Sequence, residues 1–313
     1  MIESRRRLLV VSLSFASVLG CATPASQAFA AEPPACRAIE IKFDLIKRQI
    51  TSVETNQLLF ASADNGCEEL ARRLLADGAS LEARDRLGAM PLAHAARAGV
   101  TTLVDMFLQN SAAIDARNLA GSTALYQAAE NGRTDTVDLL LRKGADPNLP
   151  GRSGVTPLAA AAYRGNDAIV ALMLAHRADP TLMDTTGKTA IVYAVARGFA
   201  PIVRRLLDAG VAADARYGNE LTALMWAAGH EEGVDPHAAD AIIRLLLERG
   251  APIDAADNHG RTALLIAAER GDAAIVSLLL DRGADRIRRD KEGKSALDLA
   301  ASAPIRARLS AGN

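Results

Sequence analysis

The chain has 313 residues and a formal charge of −1; half the residues are apolar, but only 4% are aromatic. A near-neutral chain has no global charge with which to hold nucleic acid or a membrane surface. Much of the apolar share is Ala and Leu, as close helix-on-helix stacking requires.

Residues 1–30 read as an export leader. Arg5, Arg6 and Arg7 form a basic start, residues 8–20 are an apolar run too short for a membrane span, and Ala28-Phe29-Ala30 fits a small-residue cleavage site. Ser4-Arg5-Arg6-Arg7-Leu8-Leu9 also resembles a twin-arginine leader, and an ordinary secretory leader explains the same residues. Val18-Leu19-Gly20-Cys21 resembles a bacterial lipobox, which would leave Cys21 as a lipidated N-terminus. Removing the leader takes three Arg and one Glu, so the formal charge becomes −3. The expected location is the periplasm, with a membrane-anchored lipoprotein or a secreted protein as alternatives. Membrane contact is expected only through a lipidated Cys21, and export argues against a nucleic-acid partner.

Residues 31–54 read as a tether followed by an N-terminal capping helix. The tether is Glu32-Pro33-Pro34-Ala35-Cys36, and the helix carries Ile39, Phe43, Ile46 and Ile50 at helical spacing. Lys42, Asp44, Lys47 and Arg48 form its expected wet side. In an oxidising compartment Cys36 and Cys67 are expected to pair, clipping this helix to the start of the second helix of the first unit. Two unpaired buried cysteines are the alternative.

From residue 55 to 309 the chain repeats. Gly121-Ser122-Thr123-Ala124-Leu125 recurs 33 residues later as Gly154-Val155-Thr156-Pro157-Leu158, and Gly88 and Gly187 extend the ladder at the same spacing. Within one unit, Thr123 is a plausible N-cap, and an Ala-rich helix follows and stops at Gly132. A second helix carries Val137, Leu140 and Leu141 on one face and ends at Gly144. Units run 55–84, 85–117, 118–150, 151–183 and 184–216. Ser111 and Arg177 stand where other units have the glycine that closes the second helix. The sixth unit has Glu220 in place of the ladder glycine and seven inserted residues near 231–237. The seventh, 257–289, is regular. The unit from Asp290 reads as a C-terminal cap with a shortened second helix after Pro304, covered by Arg306 and Arg308.

This fixed period, with its Thr-Pro-Leu start, resembles the ankyrin repeat. The resemblance implies an all-α solenoid of about seven helix-turn-helix units plus a cap, with turn or hairpin connections. Such helix pairs have no independent core and fold only as an array. It also implies a non-enzymatic protein that binds a partner protein on a concave face made of turn tips and first-helix ends. The matching positions hold Arg86, Arg152, Arg164, Lys188, Arg197, His230, Arg261 and Arg270, together with Arg97, Asn131, His259, Lys291 and Lys294. Glu130, Glu220, Glu269 and Glu292 are the acids among them. An acidic protein surface is therefore the expected partner, with Tyr126, Tyr163, Tyr193 and Trp226 as candidate anchors. Cations in a last helical turn also serve the helix dipole, which explains Arg164, Arg197 and Arg270 without a partner.

No cofactor, catalytic set or metal site is expected, and the protein is expected to be a monomer. Local exceptions are His230, Glu231, Glu232, Asp235, His237 and Asp240 in the insertion, which bring ligand types together without an i, i+4 pair to fix them. The family's Thr-Pro-Leu-His imidazole is missing from Ala93, Tyr126, Ala159, Val192, Met225, Leu265 and Asp298, which implies softer turns.

Overall fold

A computed structural model describes residues 33–230 and 233–311. The leader, Cys21, Glu231 and Glu232 lie outside the described residues.

The first helix, α1 (Pro34–Ile46), is followed by helix pairs. These are α2 (Ser52–Asn65) with α3 (Glu68–Ala76), α4 (Pro91–Ala98) with α5 (Thr101–Gln109), and α6 (Ala124–Glu130) with α7 (Thr134–Arg142). Then come α8 (Pro157–Arg164) with α9 (Asp167–Ala175), α10 (Ala190–Ala196) with α11 (Ala200–Asp208), and α12 (Ala223–Ala228) with α13 (Pro236–Glu248). The last pairs are α14 (Ala263–Arg270) with α15 (Ala273–Asp281), and α16 (Ala296–Leu299) with α17 (Ala303–Ser310). First helices pack in one row, α2 on α4 on α6 and onward to α16, and second helices in another, α5 on α7 and onward to α17. The described part is therefore an all-α solenoid stacked by nearest neighbours.

Local chemistry sets each element. Thr123, Thr156, Thr222 and Thr262 each accept a hydrogen bond from the amide three residues on, a cap that stabilises a helix by about 1 kcal/mol. Ala95, Ala96, Ala128, Ala129, Ala161, Ala162, Ala267 and Ala268 are buried in the first helices. Their small side chains let neighbouring first helices approach closely. Leu125, Leu140, Leu158, Ile169, Met173 and Ile191 fill the space between the two rows.

Three boundaries differ from the sequence reading. The tether ends early: α1 begins at Pro34, since proline suits a first helical turn, and it stops at Ile46, so Ile50 lies past its end. The array also begins before residue 55. Thr51 and Glu54 form a reciprocal capping box that starts α2 at Ser52. In the last unit the first helix is the short one, with four residues against eight in α17. The insertion is used partly as helix: Asp235 caps α13 and Pro236 opens it, giving 13 residues where α11 and α15 have nine.

In five of the turns between units another residue type supplies side-chain hydrogen bonds where the imidazole is missing. Three positions before the ladder glycine, Asp85, Asn118, Asp184, Asp257 and Asp290 each accept two backbone N–H bonds from their own turn, at 2.7–3.0 Å. The matching residues elsewhere are Gly151 and Tyr217, which cannot do this. There the chain forms the single 3-10 turns Arg152–Gly154 and Gly218–Glu220, with Ser153, Asn219 and Glu220 at φ 58°, 62° and 61°.

Candidate interaction face

Turn tips are stitched to one another by backbone hydrogen bonds. The amides of Leu119, Thr185, Gly218, Asn258 and Lys291 donate to Leu87, Ser153, Gly187, Asn219 and His259 carbonyls at 2.9–3.2 Å. The ladder glycine makes this approach possible. Gly187 has φ 78°, and a Cβ there would lie 2.8 Å from Gly218 Cα. Arginines four residues before the ladder position add a second stitch. Arg84 Nη1 donates to Gly88 and Arg117 carbonyls, and Arg216 Nη1 to Glu220 and Ala256 carbonyls, all at 2.8–2.9 Å. The turn tips are therefore bonded to their neighbours along the array.

The expected partner-binding cations fall into three groups on this face. Arg86, Arg152, Arg164 and Arg270 are exposed and form no ion pair among the described residues. Arg197 and Lys188 are held over aromatic rings. The Arg197 guanidinium lies 5.0 Å from the Tyr163 ring centre, and Lys188 Nζ lies 5.8 and 5.2 Å from the rings of Tyr193 and Trp226. Tyr163 and Tyr193 meet edge to face, with centres 5.8 Å apart. Three rings from α8, α10 and α12 thus make a track with two cations set on it. Tyr126 does not join the track: it is buried, packing where a Cβ on Gly151 would stand.

Other expected cations are already partnered. Arg261 pairs with Asp257 at 3.0 Å and Glu269 at 3.8 Å, His230 faces Asp272 at 3.4 Å, and Arg97 pairs with Asp64 at 2.8 Å. Of the cations without an ion pair among the described residues, Arg152 and Arg164 lie in the fourth unit, Arg86 in the second and Arg270 in the seventh. Of the insertion's metal-ligand types, Asp235 caps α13 and Asp240 pairs with Arg244. Among the described residues no three His, Cys, Asp or Glu groups gather as a metal site.

Two features were missed by reading charge alone. Leu87 and Leu119, at neighbouring turn tips, are 65% and 81% exposed. With Tyr126, Glu130 and Arg152 they line an open groove. The second feature is His94, one residue past the family's imidazole position and only 7% exposed. Its Nδ1 lies 3.0 Å from Asp64 and its Nε2 lies 3.1 Å from Asp85, so it joins the first unit to the second. Tyr193 occupies the same place three units on, and its hydroxyl donates to Asp184. Burial, then that bond, push the Tyr193 phenol well above its ordinary range. Trp226 is the next member of this series. Its turn residue is Tyr217 instead of a carboxylate, and its indole Nε1 is buried without an acceptor among the described residues.

Nearest-neighbour helix pairs that expose one stitched face of tips, rings and cations define a repeat solenoid built for binding. A family model for ankyrin repeats (3 copies) matches residues 58–151, 158–236 and 237–307, and the chain belongs to the ankyrin-repeat family. Ankyrin repeats generally bind protein partners and are generally non-enzymatic. No curated protein sequence matches the chain.

Proposed function

We propose that this chain is a non-enzymatic scaffold of the bacterial periplasm that binds a protein with an acidic surface on the face of turn tips and first-helix ends. The observation that carries this reading is the track of Tyr163, Tyr193 and Trp226 with Arg197 and Lys188 over its rings. Ordered aromatic area beside preplaced cations suits a hot spot for carboxylates, and exposed Arg152, Arg164 and Arg270 extend its field. The partner is an envelope enzyme or complex that the array holds or protects.

Crosslinked pull-down from envelope extract with the exported chain tests this. Changing Arg164, Arg197 and Arg270 together to Glu lowers recovery of the specific partner, and added salt does the same. Unchanged recovery from a variant that keeps its helical signal overturns the assignment of this face. The leader residues favour a second reading, a lipid-anchored envelope scaffold, through the lipobox-like Val18-Leu19-Gly20-Cys21. Cell fractionation with the mass of the mature N-terminus separates the soluble, anchored and secreted forms.

A further inference from the structure

Helix α1 carries two apolar stripes on opposite sides. Cys36, Ile39, Phe43 and Ile46 face the array, with Cys36 and Phe43 fully buried. Pro34, Ala38, Ile41 and Leu45 recur at i, i+4, i+7 and i+11, and all four are exposed. That spacing places them along one line of the helix. Ile41 is 54% exposed and Leu45 79%. A capping helix is expected to turn a polar side to water, and this one does not.

The charges are sorted around this stripe. At 100° per residue, Arg37 lies along one edge and Lys42 along the other, and Lys47 and Arg48 follow at the helix end; all four are exposed. The helix's acids, Glu40 and Asp44, are both drawn to Arg73 of α3. Glu54 of α2, which has a field contact with Lys42, is committed to capping Thr51. The outer side is therefore an apolar line with a basic rim.

We infer that the outer face of α1 lies on a bilayer rich in anionic phospholipid, with Ile41 and Leu45 in the headgroup boundary and Arg37, Lys42, Lys47 and Arg48 on the phosphates. The inference rests on the export reading, which brings the chain to envelope membranes. An amphipathic helix of this kind sits about 5–10 Å into the interface without spanning it; among the described residues no helix is long and apolar enough to cross. A second copy of the chain fits less well. Thirteen residues give a helix about 20 Å long and about 10 Å wide, so the stripe offers ~200 Å², against the ~800 Å² per partner of a standard interface. Residues 22–33 separate Cys21 from α1, a length of chain that reaches about 40 Å at most. A lipid on Cys21 would hold this face close to the membrane. One acyl chain anchors only marginally, and a basic apolar surface is the kind of second signal that completes it.

Vesicle flotation tests this without any leader, using the chain from Ala31 on, whose described residues form one compact unit. The wild type floats with phosphatidylglycerol/phosphatidylethanolamine vesicles and at least tenfold less with phosphatidylcholine. Both Ile41→Gln with Leu45→Gln, and Arg37→Gln with Lys42→Gln, lower flotation at least tenfold at unchanged melting temperature. These positions are on the solvent side, so the fold is retained. A wild type that stays unbound on anionic vesicles overturns the inference, as does binding that ignores the Ile41/Leu45 change. A concentration-dependent dimer abolished by that change assigns the stripe to a second copy and also overturns it. Failed export would show in fractionation and leave this assay standing, so the two readings fail separately.

Discussion

Arg177 has φ 66° where Gly144 and Gly210, one unit either side, have 92° and 96°. A side chain in the left-handed region costs on the order of 1 kcal/mol, and the Arg177 hydrogen bonds run through its backbone amide and carbonyl, which glycine keeps. Arg177→Gly is therefore expected to stabilise by about 1 kcal/mol and raise Tm by roughly 2–4 °C, read by calorimetry. A loss would mean that the guanidinium has a function of its own. His94 is a second single residue with a large effect. It is buried between two carboxylates and stacks on Phe60 with centres 4.9 Å apart. His94→Ala removes the buried ring that bridges the two carboxylates and is expected to cost about 1–3 kcal/mol, seen as a lower urea midpoint. Asp64 gives this site its pH dependence. Burial pushes its carboxyl up, but hydrogen bonds and charge from His94 and Arg97 outweigh burial and hold it below the ordinary aspartate value. A carboxyl lowered on folding adds stability at every pH above its unfolded value, and that stability is lost as pH falls through the folded one. Wild type is expected to exceed Asp64→Asn in urea midpoint at neutral pH, with the gap closing below about pH 4. A gap independent of pH would remove Asp64 ionisation from the account.

At the scale of elements, α1 is held to the array by covalent and ionic contacts. The Cys36 and Cys67 sulfurs are bonded, with Cα atoms 5.3 Å apart, both residues are buried, and Arg73 lies 5.3 Å from the Phe43 ring centre. The bridge closes 31 residues, which corresponds to about 3–4 kcal/mol in the chain-entropy model. Cys36→Ser with Cys67→Ser is expected to lower stability by that amount, and thiol titration of the unfolded, unreduced protein to find neither thiol free. Two titrating thiols would mean that the bridge does not form. The elements also show what the sequence could tell. Helix pairs, caps and the 33-residue period were legible because Thr123, Gly144 and their equivalents act on their own few neighbours. The Asx-held turns follow the same local logic, visible in Asp85, Asn118, Asp184, Asp257 and Asp290 once the ladder is aligned. Pairings across the stack were not legible. Pairings within a unit also escaped, since Arg261 looks like a free groove cation until Asp257 and Glu269 of its own unit are seen beside it. His94 becomes a clasp only when stacking brings in Asp64, thirty positions earlier. The outer stripe of α1 was hidden because Ile39, Phe43 and Ile46 already explained the helix.

For the molecule as a whole, stability is a chain of neighbour contacts, since each helix pair packs on the pair before and after it. A perturbation at one end should therefore weaken that end first. Ile305 of α17 is fully buried and Leu309 nearly so, and Arg308 pairs with Asp281 of α15. They close the last unit against the seventh. Ile305→Ala removes buried methyl groups at a cost of about 2–5 kcal/mol. In a protein with one shared core that loss would lower amide protection throughout. In this array it is expected to fall on residues 257–309, with little change in α4 through α9, because the middle units keep both neighbours. Hydrogen exchange read by mass spectrometry distinguishes the two. Graded protection, declining from the middle units toward the C-terminal end, fits the nearest-neighbour stack; an equal loss in α6, α8 and α14 would require a cooperative unit spanning all the repeats. The same logic sets a design rule for binding. The Tyr163–Tyr193–Trp226 track sits on α8, α10 and α12, away from either end, where the stack holds it most rigidly. Ile305→Ala should therefore lower thermal stability while leaving partner recovery on that track unchanged.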